Sequence, residues 1–300
     1  MAAEPVAAEF APRHLGLDPE AVESVRAELG LAPGASLLEA ALPPDLRQAP
    51  PRLEAPLSEE AALERLGELA ARNDPGRPMI GLGYYRTLTP AVIQRCVLEN
   101  PSWYTAYTPY PPEISQGRLE ALFVFQTMIS DLTGLPVANA SLLDEATAAA
   151  EAMTLCHRHA RGSRPRFVVD RDAFPQVKAV LQTRAEPLGI ELAEFDPTRP
   201  DPADFDGAAG VYVQYQGASG RLVDLAPLSV QVHAAGAQLV VAADPLMLTL
   251  VTAPAEPGAD ICVGSTQRFG LPLGFGGPHA AYMAVRRELT RQLPGRLVGL

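Results

Sequence analysis

From Arg166 onward the chain is a succession of short apolar runs: Phe167 to Asp170, Ile190 to Ala193, Val211 to Tyr215, Leu239 to Ala243, Ile261 to Val263 and Ala281 to Val285. Between them lie helix-length segments or turns carrying Gly and Pro. Runs this short, bounded in this way, predict buried strands alternating with helices. The fold class that follows is α/β, with a mainly parallel sheet covered by helices on both faces. Ligands of such sheets sit beyond the carboxyl ends of the strands, which singles out Asp170, Tyr215, Asp244 and Ser265.

Upstream the hydrophobic period lengthens. Leu119, Leu122, Phe123, Phe125, Ile129 and Leu132 fall at largely helical spacing within Glu113 to Leu132, and Gly134 is placed to end that helix. Thr89 and Pro90 predict a helix running toward Glu99, stopped by Asn100 and Pro101. An Ala-rich helix is expected to start at Ser141, where Asp144 completes a pair resembling a capping box. Residues 1–78 read as helices joined by Pro-rich connections, with Asp18, Ser36 and Ser58 as N-caps and the least informative stretch at Leu42 to Pro56. The expected organisation is therefore a helical N-terminal arm over residues 1–78 and a large domain over residues 79–300. No terminating signal follows Gly295, so the domain reads as interrupted at its C-terminal end.

The segment from Met79 to Met153 adds candidate chemistry. It holds five of the eight tyrosines (Tyr84, Tyr85, Tyr104, Tyr107 and Tyr110) and the one tryptophan, Trp103. Tyr84 and Trp103 also suit a core. Pro109, Pro111 and Pro112 preclude a regular helix through TAYTPYPPEISQG, so its polar groups face a cleft or a partner. Candidate cleft-lining residues are Tyr84, Tyr104, Tyr107, Glu113, Ser115, Gln116 and Arg118.

Charge and composition narrow the class. Lys plus Arg is 24 against 35 Asp plus Glu, a net charge of -11, and that field repels a nucleic-acid backbone. Cys96, Cys156 and Cys262 are far apart and odd in number, which argues against disulfides and a metal site and fits a reducing compartment. The most apolar stretch, Leu239 to Ala253, is interrupted by Asp244 and Pro245 and is too short to span a bilayer. Glu4 and Glu9 interrupt the N-terminus as a targeting peptide, so a cytoplasmic location is expected.

The run GYYRTLTPAVIQRCVLENPSWYTAYTPYPPEISQGRLEALFVFQTM, from Gly83 to Met128, and then ANASLLDEATAAAEAM, from Ala138 to Met153, resemble the first half of the P-protein family of the glycine cleavage system. FAPRHLG at Phe10 to Gly16, TRA at Thr183 to Ala185, VAADPL at Val241 to Leu246 and GADICVGSTQRFGLPLGFGGPHA at Gly258 to Ala280 extend the resemblance over nearly the whole chain. The spelling follows the long single-chain form of the family. The resemblance implies a pyridoxal-phosphate-dependent transferase-like (fold type I) large domain. It also implies a protein that decarboxylates glycine, passes the aminomethyl group to the lipoyl arm of the H-protein, releases carbon dioxide and forms a homo-oligomer in its full-length form.

Within that family the cofactor's lysine belongs to the second half, in a segment of the form ADxSHLNLHKTFxIPHGGGGPG. The corresponding run here, Ala259 to Pro278, has Gln267 and Arg268 where the lysine would fall. Neither an amide nor a guanidinium holds an aldehyde covalently. Lys178 is the only lysine, leaving 23 arginines of the 24 basic residues, and it reads as a solvated surface residue. Leu142, Leu143 and Asp144 replace the small residues that close on the cofactor phosphate in the second half, and an acid there disfavours phosphate. Ser141, Asp244, Gln267, Arg268 and His279 are thus degenerate cofactor-site positions, with Asp244 also suited to capping the turn at Pro245. No catalytic residue is expected within this chain, and the cofactor lysine is expected beyond Leu300. Cys96, Pro111 and Val124 depart from the family's usual Asn, Gln and Asn, as does YQGASG at Tyr215 to Gly220. Two other readings remain at this point: a structural pseudo-enzyme domain for assembly, and an independent aminotransferase-like enzyme, which Gln267 and Arg268 disfavour.

Overall fold

The computed structural model describes residues 14, 16–49, 51–74, 76–77, 79–104, 108–274 and 276–299. The chain divides into two compact units, Met1–Pro78 and Met79–Leu300. In the first unit, helices α1 (Pro19–Glu28), α2 (Leu37–Ala41) and α3 (Glu59–Ala71) start where Asp18, Ser36 and Ser58 accept hydrogen bonds from the backbone N–H three residues on. None of the three helices carries a buried residue.

The second unit is built on a sheet of strands β1 (Val137–Ala138), β2 (Arg166–Asp170), β3 (Glu191–Phe195), β4 (Ala208–Gln214), β5 (Gln238–Ala242), β6 (Ile261–Ser265) and β7 (Ala281–Val285), ordered β1-β7-β6-β5-β4-β2-β3. Strands β2 to β6 pair in parallel, whereas β7 runs antiparallel to both β6 and β1. Helices α4 (Gln116–Thr133), α5 (Glu145–His159), α6 (Pro175–Ala185) and α7 (Leu225–Ala234) cover it. Alternate strand residues separate onto two faces. Tyr212, Val240, Ile261 and Met283 pack with Ala149, Met153 and Leu181 of α5 and α6. Val211, Leu239, Cys262 and Tyr282 pack with Ile129 of α4 and Leu228 and Val232 of α7. The poly-alanine character of α5 lets it lie close to the sheet; a Cβ on Gly210 of β4 would stand 2.7 Å from the Cys156 sulfur.

Two helix boundaries differ from the expected ones. Helix α5 begins at Glu145, not Ser141, because the Asp144 carboxylate caps it by accepting from the Thr147 N–H at 2.7 Å. Ser141 has φ of 144°, and the adjacent Leu142 exchanges backbone hydrogen bonds with Ala281 at 2.8 and 2.9 Å. The segment toward Glu99 is one α-turn, Ala91–Ile93, followed by the π-turn Gln94–Leu98. Helix α4 ends at Gly134, which takes φ of 72° and donates to the Ser130 carbonyl. Among the described residues, no helix is long and apolar enough to cross a membrane.

Candidate functional site

The carboxyl ends of β4, β5 and β6 meet the first turn of α5 and the Gly83–Tyr85 segment around a cleft. Its main chamber, of about 270 Å³, is lined by Tyr84, Asp144, Glu145, Ser265, Gln267 and His279 among others. A recess beside it is lined by Tyr85, Glu145, Gln214, Asp244, Ser265 and Arg268. Glu145, the residue common to the helix cap and both chambers, is held by a buried relay. The Tyr212 hydroxyl donates to Gln214 Oε1 at 2.8 Å, and Gln214 Nε2 donates to Glu145 Oε1 at 2.9 Å. Gln214 also ties in Asp170, whose Oδ2 accepts from the Gln214 N–H at 3.2 Å.

Desolvation dominates the electrostatics here. Burial, reinforced by the nearby Asp244 and Asp144 charges, pushes the Glu145 carboxyl up to about 7 against the opposing Gln214 hydrogen bond. Burial likewise raises Asp170 to about 6, opposed by the N–H groups of Asp172 and Gln214. The Tyr85 hydroxyl is raised by burial and then by Asp244 and Glu145.

The charges of Asp244 and Arg268 satisfy each other. Arg268 Nε lies 3.3 Å from Asp244 Oδ2, the guanidinium stands 5.2 Å from the Tyr85 ring centroid, and Nη1 donates to the Arg86 carbonyl at 3.2 Å. Asp244 Oδ1 accepts from the Leu246 N–H at 2.9 Å, capping the turn at Pro245. His279 Nδ1 lies 2.9 Å from the Gly277 carbonyl, and its ring meets Tyr84 edge-on at 6.1 Å.

This lining does not fit a pyridoxal phosphate held by a lysine. Gln267 and Arg268 occupy the turn after β6, the first turn of α5 presents Asp144 and Glu145 rather than small residues, and Arg268 is already bound to Asp244. Lys178 is committed elsewhere, its Nζ donating to the Arg171 carbonyl at 3.0 Å and to Glu194 at 3.1 Å.

The structure brings Tyr84, Asp244, Gln267, Arg268 and His279 to the cleft, while Ser141 is exposed and lines neither chamber. The remaining candidates lie around the start of α4. Glu113 and Gln116 line a separate groove of about 570 Å³ with Leu119, Phe123 and Val298. Ser115 and Arg118 line a shallow depression beside Trp103, and Arg118 donates to the Ser102 carbonyl. Tyr104 is exposed, and Tyr107 lies outside the described residues. Sequence reasoning missed Glu145 and Gln214; the available signal was a glutamine closing an otherwise apolar strand.

Comparison with known proteins gives this geometry relatives. The family model described as glycine cleavage system P-protein matches residues 12–300. Glycine dehydrogenase (decarboxylating) of Bradyrhizobium diazoefficiens is 58% identical over 293 residues, covering 97% of this chain and 30% of its own length. The protein of the same name from Rhodopseudomonas palustris is 55% identical over 294 residues, covering 97% of this chain and 29% of its own. A crystal structure of glycine decarboxylase (P-protein) of the glycine cleavage system, in inhibitor-bound form, matches with a TM-score of 0.86 at 39% identity, over 95% of this chain and 65% of that one. An apo cysteine desulfurase from Thermococcus onnurineus NA1 shares the fold alone, with a TM-score of 0.50 at 19% identity over 71% of this chain and 55% of that one. The chain thus spans about 30% of the length of its curated relatives.

Proposed function

Because the chain belongs to the glycine cleavage system P-protein family, we propose that it is the N-terminal, non-catalytic part of a cytoplasmic, pyridoxal-phosphate-dependent glycine decarboxylase. The whole protein, on this reading, takes glycine and the lipoylated H-protein as partners, releases carbon dioxide and works as a homo-oligomer. Residues outside this chain hold the cofactor and carry the decarboxylation. Residues 1–78 form the helical arm and residues 79–300 the degenerate large domain.

The observation that carries the reading is that Gln267 and Arg268, neither of them an amine, stand in the turn after β6. A guanidinium stays protonated and cannot act as the nucleophile that holds an aldehyde. Paired with Asp244 at 3.3 Å, it closes off the acid that would otherwise face a pyridine ring. What this half supplies is then shape: a rigid wall and, around Glu113 and Gln116, polar groups beside a groove. The test is exchange of labelled bicarbonate into glycine in the presence of H-protein. Full-length protein is expected to exchange, and residues 1–300 with added pyridoxal phosphate are expected to give none. Exchange by residues 1–300 alone would restore the independent-enzyme reading.

A purely structural role in assembly is the competing account, favoured by the exposure of Ile114, Val124 and Met128 near and along α4. Glu113→Gln in the full-length protein separates the two. Lower turnover at unchanged melting temperature supports the wall, whereas full turnover supports assembly alone.

A further inference from the structure

Three hydrogen-bond acceptors converge on the main chamber of the cleft. Gln267 is 5% exposed, and its Nε2 donates at 3.4 Å to the Pro272 carbonyl, a group that only accepts. The amide is thereby oriented, and its oxygen, which has no partner among the described residues, is left to the cavity. Glu145 spends Oε1 on Gln214, and its second oxygen likewise has no partner among the described residues. His279 contributes a third group, because its Nδ1 donates to the Gly277 carbonyl and Nε2 is the ring nitrogen without a partner among the described residues. These three acceptors come from α5, the turn after β6 and the loop before β7, so their convergence does not depend on one helix end.

No lysine or arginine among the described residues lines this chamber. Arg268 lines only the adjoining recess, where Asp244, the Tyr85 ring and the Arg86 carbonyl engage it. Asp144 adds a further negative charge at the rim while its Oδ1 caps the helix. An anion entering here meets the carboxyl groups of Asp144 and Glu145. A buried amide oxygen and a second carboxyl oxygen without donors are costly, and a donating cation relieves both.

We propose that this chamber binds a small organic ammonium ion lacking a carboxylate. Glu145 is its charge partner, the Gln267 carbonyl and His279 Nε2 accept its remaining N–H groups, and Tyr84 offers aromatic surface to its methylenes. About 270 Å³ accommodates a ligand of a few heavy atoms. The proposal stands on the lining alone and is independent of where the decarboxylation occurs.

Calorimetric titration of the full-length protein at pH 8, above the value of about 7 to which burial raises Glu145, with ethylammonium chloride tests it, with sodium acetate and glycine as comparators. Wild-type protein is expected to show saturable ethylammonium binding, weakened at least tenfold by Glu145→Gln and severalfold by Gln267→Met, each checked for an intact melting transition. Acetate is expected not to bind this site, and glycine to bind wild type and Glu145→Gln alike. Absence of saturable ethylammonium binding at millimolar concentration overturns the proposal without recourse to a variant. So does acetate competing with ethylammonium, or equal ethylammonium binding by wild type and both folded variants.

Discussion

Glu145 is the residue whose behaviour most depends on the fold around it. With its carboxyl raised from 4.5 to about 7, and Asp170 raised from 3.8 to about 6, the folded state holds more protons than the unfolded state between these values. Stability therefore falls as pH rises through that interval and levels off above about 7. Glu145→Gln keeps an oxygen for the Gln214 amide and removes the titration. Its melting temperature is expected to exceed that of wild type at pH 8 and to converge with it near pH 4; a difference independent of pH would refute the assignment. That Gln267 and Arg268 supply no amine was legible directly from residue type. Glu145 was not, because a first-turn acid looks like an ordinary dipole partner until Gly83, Gln214 and Asp244, distant in sequence, close around it.

At the scale of elements, what was local was legible. The caps at Asp18, Ser36 and Ser58 each involve a neighbour three residues away, and no tertiary contact overrides them. Ser141 has the same pattern, but the Leu142 to Ala281 pairing draws that stretch into an extended path and moves the cap to Asp144. Asp144→Ala is accordingly expected to cost about 1 kcal/mol in urea unfolding, and Ser141→Ala less than about 0.5 kcal/mol. The reverse order would return the helix start to Ser141. The two-residue strand β1 escaped notice because it carries too little pattern to register, and its pairing partner β7 lies far along the chain. Packing adds a further prediction. A methyl at Gly210 would meet the Cys156 sulfur at 2.7 Å and the Phe167 ring at 2.9 Å. Gly210→Ala should therefore destabilise by about 1–3 kcal/mol through overpacking between α5 and β4, and an unchanged unfolding midpoint would show that α5 yields.

At the scale of the whole molecule, the layered α/β architecture was readable because strands buried on both faces leave short continuous apolar runs between helix-length segments. The partition of the polar loop was not. Glu113 and Gln116 are neighbours of Ser115 and Arg118 at the start of α4, yet they line different depressions, since the helical turn points them apart. Apolar side chains left exposed along α4, among them Val124 and Met128, mark a surface that the isolated chain presents to solvent. Residues 1–300 alone are expected to associate or bind a hydrophobic dye, and a monodisperse monomer without dye binding would contradict that. The central claim is that this chain shapes a cofactor enzyme without holding its cofactor. Borohydride reduction of the full-length protein loaded with pyridoxal phosphate, followed by peptide mapping, tests it most directly. The account predicts a pyridoxyl-lysine outside residues 1–300 with Lys178 unmodified; stoichiometric pyridoxyl-Lys178 would contradict it.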